Sequence, residues 1–432
     1  MRICVLGLWH LGTVTAACLA LGGHRVIGLD FDEDIIARLK QGEPPIFEPG
    51  LKDLVKKGLE AGTLNFSIDS AEAVDDAQVI WVAYDTPVDD DDNADVGYVI
   101  ERVSRLFSHL KAGQEILISS QLPVGTSRSL EEMFAKVRPE VDVSFSYSPE
   151  NLRLGKAISV FTQPDRVVIG VRTEKSRRVF SELLAPFTDN IEWMAVESAE
   201  MTKHALNAFL AASVTFINEI ASICEQVGAD AKEVERGLKS ESRIGPKAYL
   251  GPGGAFAGGT LARDVAFLTQ LGEQNGLPIH LIPAVRVSND AHKVWPRRRL
   301  AQVLGELAGK TIAIWGLTYK PGTDTLRRSS AMELCQWLLE QGAEVQAHDP
   351  AVKSLPDQFA RIHLCVSPID AVHDADALIV ATEWSEYRSV LIPEVVSALR
   401  TPFILDANRF LAASFESYPD VIYVSVGKSV KL

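Results

Sequence analysis

Residues 3–30 read ICVLGLWHLGTVTAACLALGGHRVIGLD, and this stretch decides the predicted fold. It contains a short apolar strand pattern, a glycine turn, a helix pattern and a second strand pattern, at residues 3–6, 7–12, 13–21 and 25–29. Gly7 and Gly12 punctuate the turn, and the second strand ends at Asp30. This order of elements, with an acid at its end, is typical of a dinucleotide-binding unit, in which the pyrophosphate lies at the helix N-terminus. The stretch therefore predicts a βαβ unit with a cofactor site at the turn.

The glycine fingerprint departs from the usual pattern at one position. A GxGxxG turn has a middle glycine that lets the backbone approach the pyrophosphate, and this chain has Trp9 there. The fingerprint is therefore weak by itself and depends on the strand, the helix and Asp30 around it. His10 is expected to pack or to face solvent. Asp30, followed by Asp32 and Asp34, would accept from a ribose 2′-hydroxyl and repel a 2′-phosphate, which favours NAD over NADP.

The composition indicates a globular protein of more than one domain. At 432 residues with 47% hydrophobic content, the chain can bury a large core in two or three domains. The formal net charge of -14 argues against a general affinity for nucleic acid or anionic membranes. The cysteines are scattered without a CxxC pair, which predicts reduced, buried thiols and no metal site. We expect a cytoplasmic protein outside the membrane, because the apolar run at 205–217 is too short to span a bilayer.

Strand and helix patterns alternate along most of the chain. Further apolar strands are predicted at 79–83, 115–119, 143–147 and 167–171, and a second unit has strands at 311–315, 345–348, 377–382 and 403–405. Near-continuous apolar strands separated by helices indicate parallel, doubly wound sheets. A long helix is predicted at 199–227. We predict an α/β protein with two doubly wound Rossmann-like lobes joined by a long central helix and a small helical domain, with domains at 1–198, 199–300 and 301–432.

The loops that follow the strands are the expected ligand-binding edge of such a sheet. In the first lobe these loops contain Thr86-Pro87, residues 123–126 and Pro149-Glu150. The acidic stretch VDDDDNAD at residues 88–95 is interpreted as a solvated loop and not as a metal site.

A glycine-rich stretch, LGPGGAFAGGTLARD at Leu250 to Asp264, lies between the two predicted lobes in sequence. Glycine permits positive φ and close approach of the backbone to a ligand. The stretch is followed by an apolar helical pattern, so it is predicted to feed the first turn of a helix, where unpaired N–H groups attract anions. The alternative is an ordinary glycine-rich linker.

The predicted central helix has apolar residues on two faces, which predicts burial on two sides and hence a homodimer formed through this helix. Lys203 and Asn207 are one turn apart and share a face of the helix. They are either a functional polar pair or the exposed first turn of an otherwise apolar helix.

Many segments of the chain match one family in the same order. They are GHRVIGLD, PPIFEPGL, DTP, PVGT, YSPENLRLGKA, PDRVVIG, EMTKHALNAFLA, NE, RIG, YLGPGGAFAGGTLARD, GLTYKPGTDTLR and HDP. Over almost its full length the sequence resembles the UDP-glucose/GDP-mannose dehydrogenase family. The resemblance implies oxidation of the C6 hydroxyl of a nucleotide-linked hexose to a carboxylate with two NAD. It also implies that the first domain binds NAD and that the third binds the nucleotide sugar.

The resemblance implies roles for individual residues. Together with the glycine turn, it assigns the cofactor to Gly7, Leu11, Gly12, Asp30, Thr86 and Thr126. The residues implied for catalysis are Thr126, Glu150, Lys203, Asn207, Thr260 and Asp264. Those implied for substrate binding are Glu150, Leu152, Lys203, Asn207, Arg243, Tyr249, Gly253, Phe256, Gly258, Lys320 and Arg327. Lys203 and Asn207 would polarise and position the oxygen at C6, and Glu150 would lie beside the reacting carbon and its water.

The chain departs from the family where the nucleophile belongs. In the family pattern GxGFGGxCxxKD a cysteine attacks the intermediate aldehyde, and here Thr260 occupies that position. A hydroxyl needs an adjacent strong base to react, whereas a thiol is intrinsically nucleophilic. Arg263 replaces the lysine of the motif, Leu154 replaces the second acid of the PExLxE segment, and Tyr84-Asp85 replaces small apolar and proline residues.

Three interpretations follow from these departures. The favoured one is an NAD-dependent nucleotide-sugar oxidoreductase that oxidises C6 toward the uronic acid, because Asp30, Glu150, Lys203, Asn207 and Asp264 are all present. The second is a single hydride transfer that ends at an aldehyde or serves an epimerisation. The third is a catalytically silent subunit that binds nucleotide sugars.

Overall fold

The computed structural model describes residues 1–87, 89, 94–150, 152–415 and 417–429. These residues divide into two compact units, Met1–Leu206 and Asn207–Leu432. The predicted division into three domains, at 1–198, 199–300 and 301–432, stays a proposal.

The unit Met1–Leu206 is built on an eight-stranded sheet of order β3-β2-β1-β4-β5-β6-β7-β8. Its strands are β1 (Arg2–Leu6), β2 (Arg25–Leu29), β3 (Leu64–Ser67), β4 (Val79–Val82), β5 (Glu115–Ile118), β6 (Ser144–Tyr147), β7 (Val167–Gly170) and β8 (Ile191–Met194). β6 and β7 pair antiparallel, whereas the other neighbours are parallel. The predicted parallel arrangement is thus wrong for β7, and β8, which the sequence did not predict, runs parallel to β7. The chain leaves the sheet at the carboxyl end of β6 and enters β7 from that same end, so β7 runs in the opposite direction to β6.

Helices cover both faces of this sheet. They are α1 (His10–Leu21), α2 (Glu33–Lys40), α3 (Leu51–Glu60), α4 (Ser70–Val74), α5 (Val96–Ser104), α6 (Thr126–Val137), α7 (Ala157–Thr162) and α8 (Glu174–Leu184). Side chains alternate along β1: Ile3 and Val5 belong to one apolar cluster, and Cys4 and Leu6 belong to the other. Because both faces are buried, the strand reads as a continuous apolar run, which is why β1 was recognisable in the sequence.

A single helix, α9 (Val196–Val227), contains the boundary between the two units. It has 32 residues and begins three positions earlier than the predicted helix at 199–227. Among the described residues it is long and apolar enough to cross a membrane, so the length argument drawn from the run at 205–217 is wrong. Of the most apolar 18-residue window of α9, 44% is buried within the protein. Core helices of globular proteins also meet this criterion of length and hydropathy.

The unit Asn207–Leu432 contains a helical part and a second sheet. The helices after α9 are α10 (Ala231–Ser240), α11 (Thr260–Gln274), α12 (Leu281–Lys293) and α13 (Trp295–Leu304). The sheet has the order β11-β10-β9-β12-β13-β14 and is parallel throughout. Its strands are β9 (Thr311–Trp315), β10 (Glu344–His348), β11 (Ile362–Leu364), β12 (Ala377–Val380), β13 (Phe403–Leu405) and β14 (Ile422–Val424), and its helices are α14 (Ser330–Glu340), α15 (Pro368–Val372), α16 (Ile392–Ala398) and α17 (Ala412–Phe415). The predicted α/β class with two doubly wound lobes and a long central helix is confirmed.

Candidate active site

The glycine turn after β1 has the conformation that its sequence predicts. Gly7 has φ +92°, and its N–H donates to the carbonyl of Leu29 at 2.9 Å. A Cβ on Gly12 would lie 1.6 Å from the carbonyl oxygen of Gly7, so no larger residue fits where α1 passes the turn. Leu11 is buried in the apolar core beneath α1. These residues therefore form the turn, while their contact with a cofactor remains a prediction.

Asp30 holds this turn from the end of β2. One carboxylate oxygen, Oδ2, accepts from the N–H of Leu8 at 2.6 Å, and the other accepts from the N–H of Asp32 at 3.2 Å. Burial raises the pKa of Asp30, and the backbone N–H groups oppose that effect. Among the described residues Asp30 accepts from backbone groups, which leaves lone pairs of its carboxylate for a ribose hydroxyl.

Asp349 occupies the matching place at the end of β10 in the other sheet. Its Oδ2 accepts from the N–H of Leu317 at 2.7 Å, as Asp30 does from Leu8. The same oxygen also accepts from Thr318 N–H at 3.0 Å and from the indole N–H of Trp384 at 3.1 Å. Oδ2 of Asp349 is thus fully occupied by its own chain, and Oδ1 accepts from the N–H of Ala351 at 2.9 Å, so Asp349 has fewer lone pairs left for a ribose than Asp30.

The surroundings of the turn fit a bound dinucleotide. The ring of Tyr84 lies 2.7 Å from where a Cβ on Gly7 would be, and its buried hydroxyl has no hydrogen-bond partner among the described residues. Burial raises the pKa of Tyr84, and the negative charge of Asp30 adds to that effect. A buried, unsatisfied hydroxyl beside the turn is a group that a ligand can satisfy. Trp9 precedes α1 and is 46% exposed.

The structure brings Glu150 and Lys203 together. The ammonium of Lys203 donates to the backbone carbonyl of Glu150, and the Glu150 carboxylate accepts from the N–H of Leu152. Burial raises the pKa of Glu150, whereas Lys203 and the Leu152 N–H lower it. Glu150 follows β6, which is linked to β1 through parallel neighbours, so it lies at the same edge of the sheet as the glycine turn.

Thr86 and Thr126 lie at the same edge. The hydroxyl of Thr86 donates to the carbonyl of Gln121 at 2.8 Å, and that of Thr126 donates to the carbonyl of Pro123 at 2.7 Å. Both hydroxyls therefore donate their protons to backbone carbonyls of the loop after β5. Their oxygen lone pairs remain available to accept a hydrogen bond from a ligand. Their contact with cofactor stays a prediction.

Glu200, which the sequence analysis did not single out, fixes the start of α6. Its two carboxylate oxygens accept from Gly125 N–H at 2.7 Å and from Ser127 N–H at 3.0 Å. The side chain is fully buried. A carboxylate at a helix N-terminus pairs with N–H groups that have no partner in the helix. The EMTKHALN segment contained this residue, but only the fold shows what it caps.

Asn207 and Asp264 also meet. The side-chain amide of Asn207 donates to the carboxylate of Asp264, which is 1% exposed in α11. The glycine-rich stretch leads into a helix, as predicted, and that helix already begins at Thr260, which is exposed. Among the described residues no side chain hydrogen-bonds to the Thr260 hydroxyl. The Thr260 hydroxyl thus has no hydrogen-bonded base within the described part of the chain.

The glycine-rich stretch is a fixed loop, which argues against the alternative of a linker. Side-chain amides hold its backbone: Gly253 N–H donates to Asn218 at 3.0 Å, and Gly254 N–H donates to Asn408 at 2.8 Å. The amide of Asn289 pairs with both backbone groups of Phe256, at 3.0 and 2.9 Å. His292 Nε2 hydrogen-bonds the carbonyl of Gly253 at 2.8 Å. These side-chain hydrogen bonds to the loop backbone were not predicted, because the residues that make them are distant from the loop in sequence.

A cavity of about 570 Å³ lies beside this loop in the unit Asn207–Leu432. Its walls include loop residues, the region after β9, the start of α14 and the ends of β12 and β13, represented by Gly254, Ala257, Thr318, Lys320, Ser330, Ala381 and Asn408. The cavity therefore occupies the carboxyl edge of a parallel sheet where the strand order reverses between β9 and β12, the usual ligand position in such sheets. Lys320 and the N-terminus of α14 make this wall attractive to an anion.

Other predicted substrate residues lie outside the cavity wall. Arg243 is exposed and pairs with Glu241 at 3.1 Å, and Tyr249 is 57% exposed. Phe256 packs in a small apolar cluster with α9, α11 and α12. Gly258 contacts Tyr319, whose hydroxyl lies 3.4 Å from the Gly258 carbonyl, and Arg327 is exposed. Their roles toward substrate remain predictions.

The described residues contain no cluster of His, Cys, Asp and Glu that could hold a metal ion. Most of the acidic stretch at 88–95 lies outside the described residues. The cysteines are free and buried, as the sequence predicts.

Comparisons with known proteins agree with this architecture. Residues 1–188, 197–291 and 313–413 match the NAD binding, central and UDP binding domains of the UDP-glucose/GDP-mannose dehydrogenase family. A UDP-glucose 6-dehydrogenase of Pseudomonas aeruginosa is 36% identical, covering 99% of this chain and 98% of its own. A UDP-glucose 6-dehydrogenase of Bacillus subtilis is 35% identical, covering 99% and 93%. The structure of a UDP-glucose dehydrogenase from Pyrobaculum islandicum superposes with a TM-score of 0.82 at 29% identity, covering 100% of this chain and 94% of that one. The resemblance drawn from the motifs is thereby confirmed, and the chain belongs to the UDP-glucose/GDP-mannose dehydrogenase family.

Proposed function

We propose that this protein is an NAD-dependent oxidoreductase that oxidises the C6 hydroxyl of a UDP-linked hexose toward the uronic acid. The observation that carries the proposal is the pairing of Lys203 with Glu150 at the sheet edge that bears the glycine turn. An ammonium group and a partly buried carboxyl, placed where a dinucleotide is expected, are what oxidation of an alcohol and addition of water require. UDP-glucose is the first candidate substrate, because the cited relatives carry that name and residues 313–413 match a UDP binding domain.

Each side chain contributes through its charge and position. Lys203 would stabilise negative charge that develops on the C6 oxygen, and Asn207, held by Asp264, would orient that oxygen. Glu150 would take a proton from water, since burial raises its pKa toward the range where a carboxylate is an effective base. NAD, when bound at the turn held by Asp30, would accept the electrons of C6 as hydride.

The nucleotide would occupy the cavity beside the glycine-rich loop. Lys320 and the first turn of α14 offer an ammonium and free N–H groups to the diphosphate. The loop is already clamped by Asn218, Asn289 and Asn408, so little ordering is needed when the substrate binds.

A specific observation favours a second candidate, oxidation that stops after one hydride transfer. Thr260 is exposed at the start of α11 and has no hydrogen-bonded base among the described residues. A neutral hydroxyl without a base is a poor nucleophile, so a covalent intermediate is not favoured. The product would then be an aldehyde or, where the transferred hydride returns to the sugar, an epimer.

The experiment that tests both candidates is incubation of the purified protein with UDP- and GDP-sugars and NAD, with products identified by mass spectrometry. Acid formation supports the first candidate, and an aldehyde-level or epimerised product supports the second. No product and no binding of NADH in a fluorescence titration would favour the silent-subunit interpretation, for which Trp9 is the sequence feature.

Thr260→Cys separates the two active interpretations further. If only the nucleophile is missing, this variant raises acid formation and brings the yield toward two NADH per sugar. Thr260→Ala is the matched control and should change little. If the wild type makes acid rapidly and Thr260→Ala abolishes it, Thr260 is an activated nucleophile and the second candidate is wrong.

We also propose that the protein is a cytoplasmic homodimer formed through α9. Several large apolar residues of this helix are exposed in the single chain, namely Phe209 (69%), Phe216 (50%), Ile223 (58%) and Val227 (70%). A contiguous apolar face of this kind is typical of an interface. Light scattering that gives a monomer at micromolar concentration would contradict the dimer.

A further inference from the structure

We infer that His10 and Glu48 form a positioning pair that ties the glycine turn to the segment carrying Glu150. The inference rests on the proposed role of Glu150 as a base. It goes beyond that role because neither residue was expected to serve the site.

The contacts begin at the first turn of α1. His10, the residue after Trp9, is the first residue of the helix, and its Nε2 lies 3.1 Å from Oε2 of Glu48. The side chains are only 16% and 1% exposed. An imidazole beside a carboxylate with little access to water is an ordered contact, unlike a pair of solvated surface charges. His10 therefore does not face solvent as a free side chain.

Glu48 also accepts hydrogen bonds from the segment that follows Glu150. The same Oε2 accepts from Gly155 N–H at 2.7 Å, and Oε1 accepts from Ala157 N–H at 2.9 Å. Gly155 has φ +86°, so its backbone holds a turn that side-chain-bearing residues rarely adopt. A single buried carboxylate thus fixes the last part of the segment 152–157 and the start of α7.

The other end of this segment is fixed to Glu150 itself. Leu152 N–H donates to the Glu150 carboxylate, and Lys203 donates to the Glu150 carbonyl. The described residues 152–157 therefore lie between two carboxylates, that of Glu150 at one end and that of Glu48 at the other. A shift of Glu48 would move the segment and with it the donor to the Glu150 carboxylate.

His10 is also one of the groups that affect the pKa of Glu150. The ionisable groups that act electrostatically on Glu150 are Lys203 from α9, Asp85 from the loop after β4, and His10 from α1. Burial raises the pKa of Glu150, Lys203 lowers it, Asp85 raises it and His10 lowers it. Loss of the imidazole is therefore expected to raise the pKa of Glu150 further, and Glu48 is the acid that holds the imidazole in place.

The test uses the full-length protein and two readouts. Arg153 and Lys156 are exposed trypsin sites inside the segment that Glu48 holds. Since each lost hydrogen bond is worth about 1 kcal/mol, His10→Ala and Glu48→Gln are expected to speed tryptic cleavage at these sites about fivefold. His10→Gln keeps a donor toward Glu48 and should restore resistance. His109, an exposed histidine of the same unit, supplies the control variant His109→Ala, which should leave cleavage unchanged.

The second readout is the pH profile of kcat/KM for the sugar that the wild type oxidises. Because a base must be ionised, the acidic limb should move to higher pH in both His10→Ala and His10→Gln, whereas His109→Ala should not move it. Wild-type cleavage rates in His10→Ala and Glu48→Gln would overturn the inference. Faster cleavage in these variants, with the acidic limb of the His10→Ala profile unmoved, would also overturn it, because the contact between His10 and Glu48 would then be purely structural. If the wild type turns over no sugar, the proposed function fails, and with it the link to catalysis, while the proteolysis still decides whether the pair holds the segment.

Discussion

Replacing Gly253 with alanine should weaken the glycine-rich loop through one side chain, that of Asn408. A Cβ on Gly253 would lie 2.1 Å from Asn408 Oδ1, and the next nearest atoms, at 3.2 and 3.8 Å, also belong to Asn408. Asn408 would have to turn away, and it would then lose the hydrogen bond from Gly254 N–H, now 2.8 Å long. One neutral hydrogen bond is worth about 1 kcal/mol, so Gly253→Ala should lower the free energy of unfolding by about that amount.

Asn408→Ala removes the same hydrogen bond, at a cost of about 1 kcal/mol, and also the interaction of Asn408 with Glu383. In the double variant the clash is gone and the bond is already lost, so the second substitution should add little. The expected double-mutant cycle therefore shows a coupling of about 1 kcal/mol, well above the scatter for independent sites. Since Gly254 and Asn408 both line the cavity, each single variant should also raise the KM for the nucleotide sugar about fivefold.

The assay is urea denaturation of the four proteins, with initial rates at varied sugar concentration. Gly251→Ala is the matched control in the same loop, because the nearest atom to its Cβ would be 3.9 Å away, and it should change neither quantity. If the losses in free energy of unfolding are additive, with a total of about 2 kcal/mol in the double variant, Asn408 is not the side chain that restricts Gly253.

Three further predictions concern the first unit. Glu115 is buried with neither carboxylate oxygen in a well-formed hydrogen bond, and burial raises its pKa, so the folded state favours the protonated form. Protonated Glu115 stabilises the folded state fully at low pH, and this stabilisation is lost as the pH rises above the ordinary glutamate pKa. Glu115→Gln should therefore raise the free energy of unfolding at pH 8, and the gain should shrink near pH 4. Glu200→Ala removes two charge-assisted bonds from the start of α6 and should cost about 3 kcal/mol in thermal or urea unfolding; a loss below about 1 kcal/mol would show that water replaces the carboxylate. Calorimetric titration should give tighter binding of NAD than of NADP, because Asp30 would repel a 2′-phosphate, and the reverse order would refute its assignment.

The sequence determined the local elements well, because their patterns are local. β9 and β13 have the predicted bounds, and β1 and α1 differ from prediction by a few residues at one end. Gly7 and Asp30 were recognisable as turn and terminal acid, since the spacing of a βαβ unit fixes them relative to one another. The family was recognisable as well, because a series of short segments occurs in the same order.

Edge strands and strand direction were not determined in this way. β3 and β8 are short edge strands, and the periodicity of four residues is too brief to distinguish a strand from a loop. The reversal of β7 depends on where the preceding connection re-enters the sheet, which no pattern within β7 encodes.

Only the tertiary structure decided which polar side chains support the site. Glu48 contacts Gly155 across 107 positions of the chain, and Asn408 contacts Gly254 across 154. Glu200 caps α6 across 73 positions. A carboxylate or amide in a sequence does not specify its partner, because its short-range hydrogen bonds form only after folding brings distant backbone groups within about 3 Å. The sequence therefore determined which residues are proposed to carry the chemistry, and the fold decided which residues hold them in place.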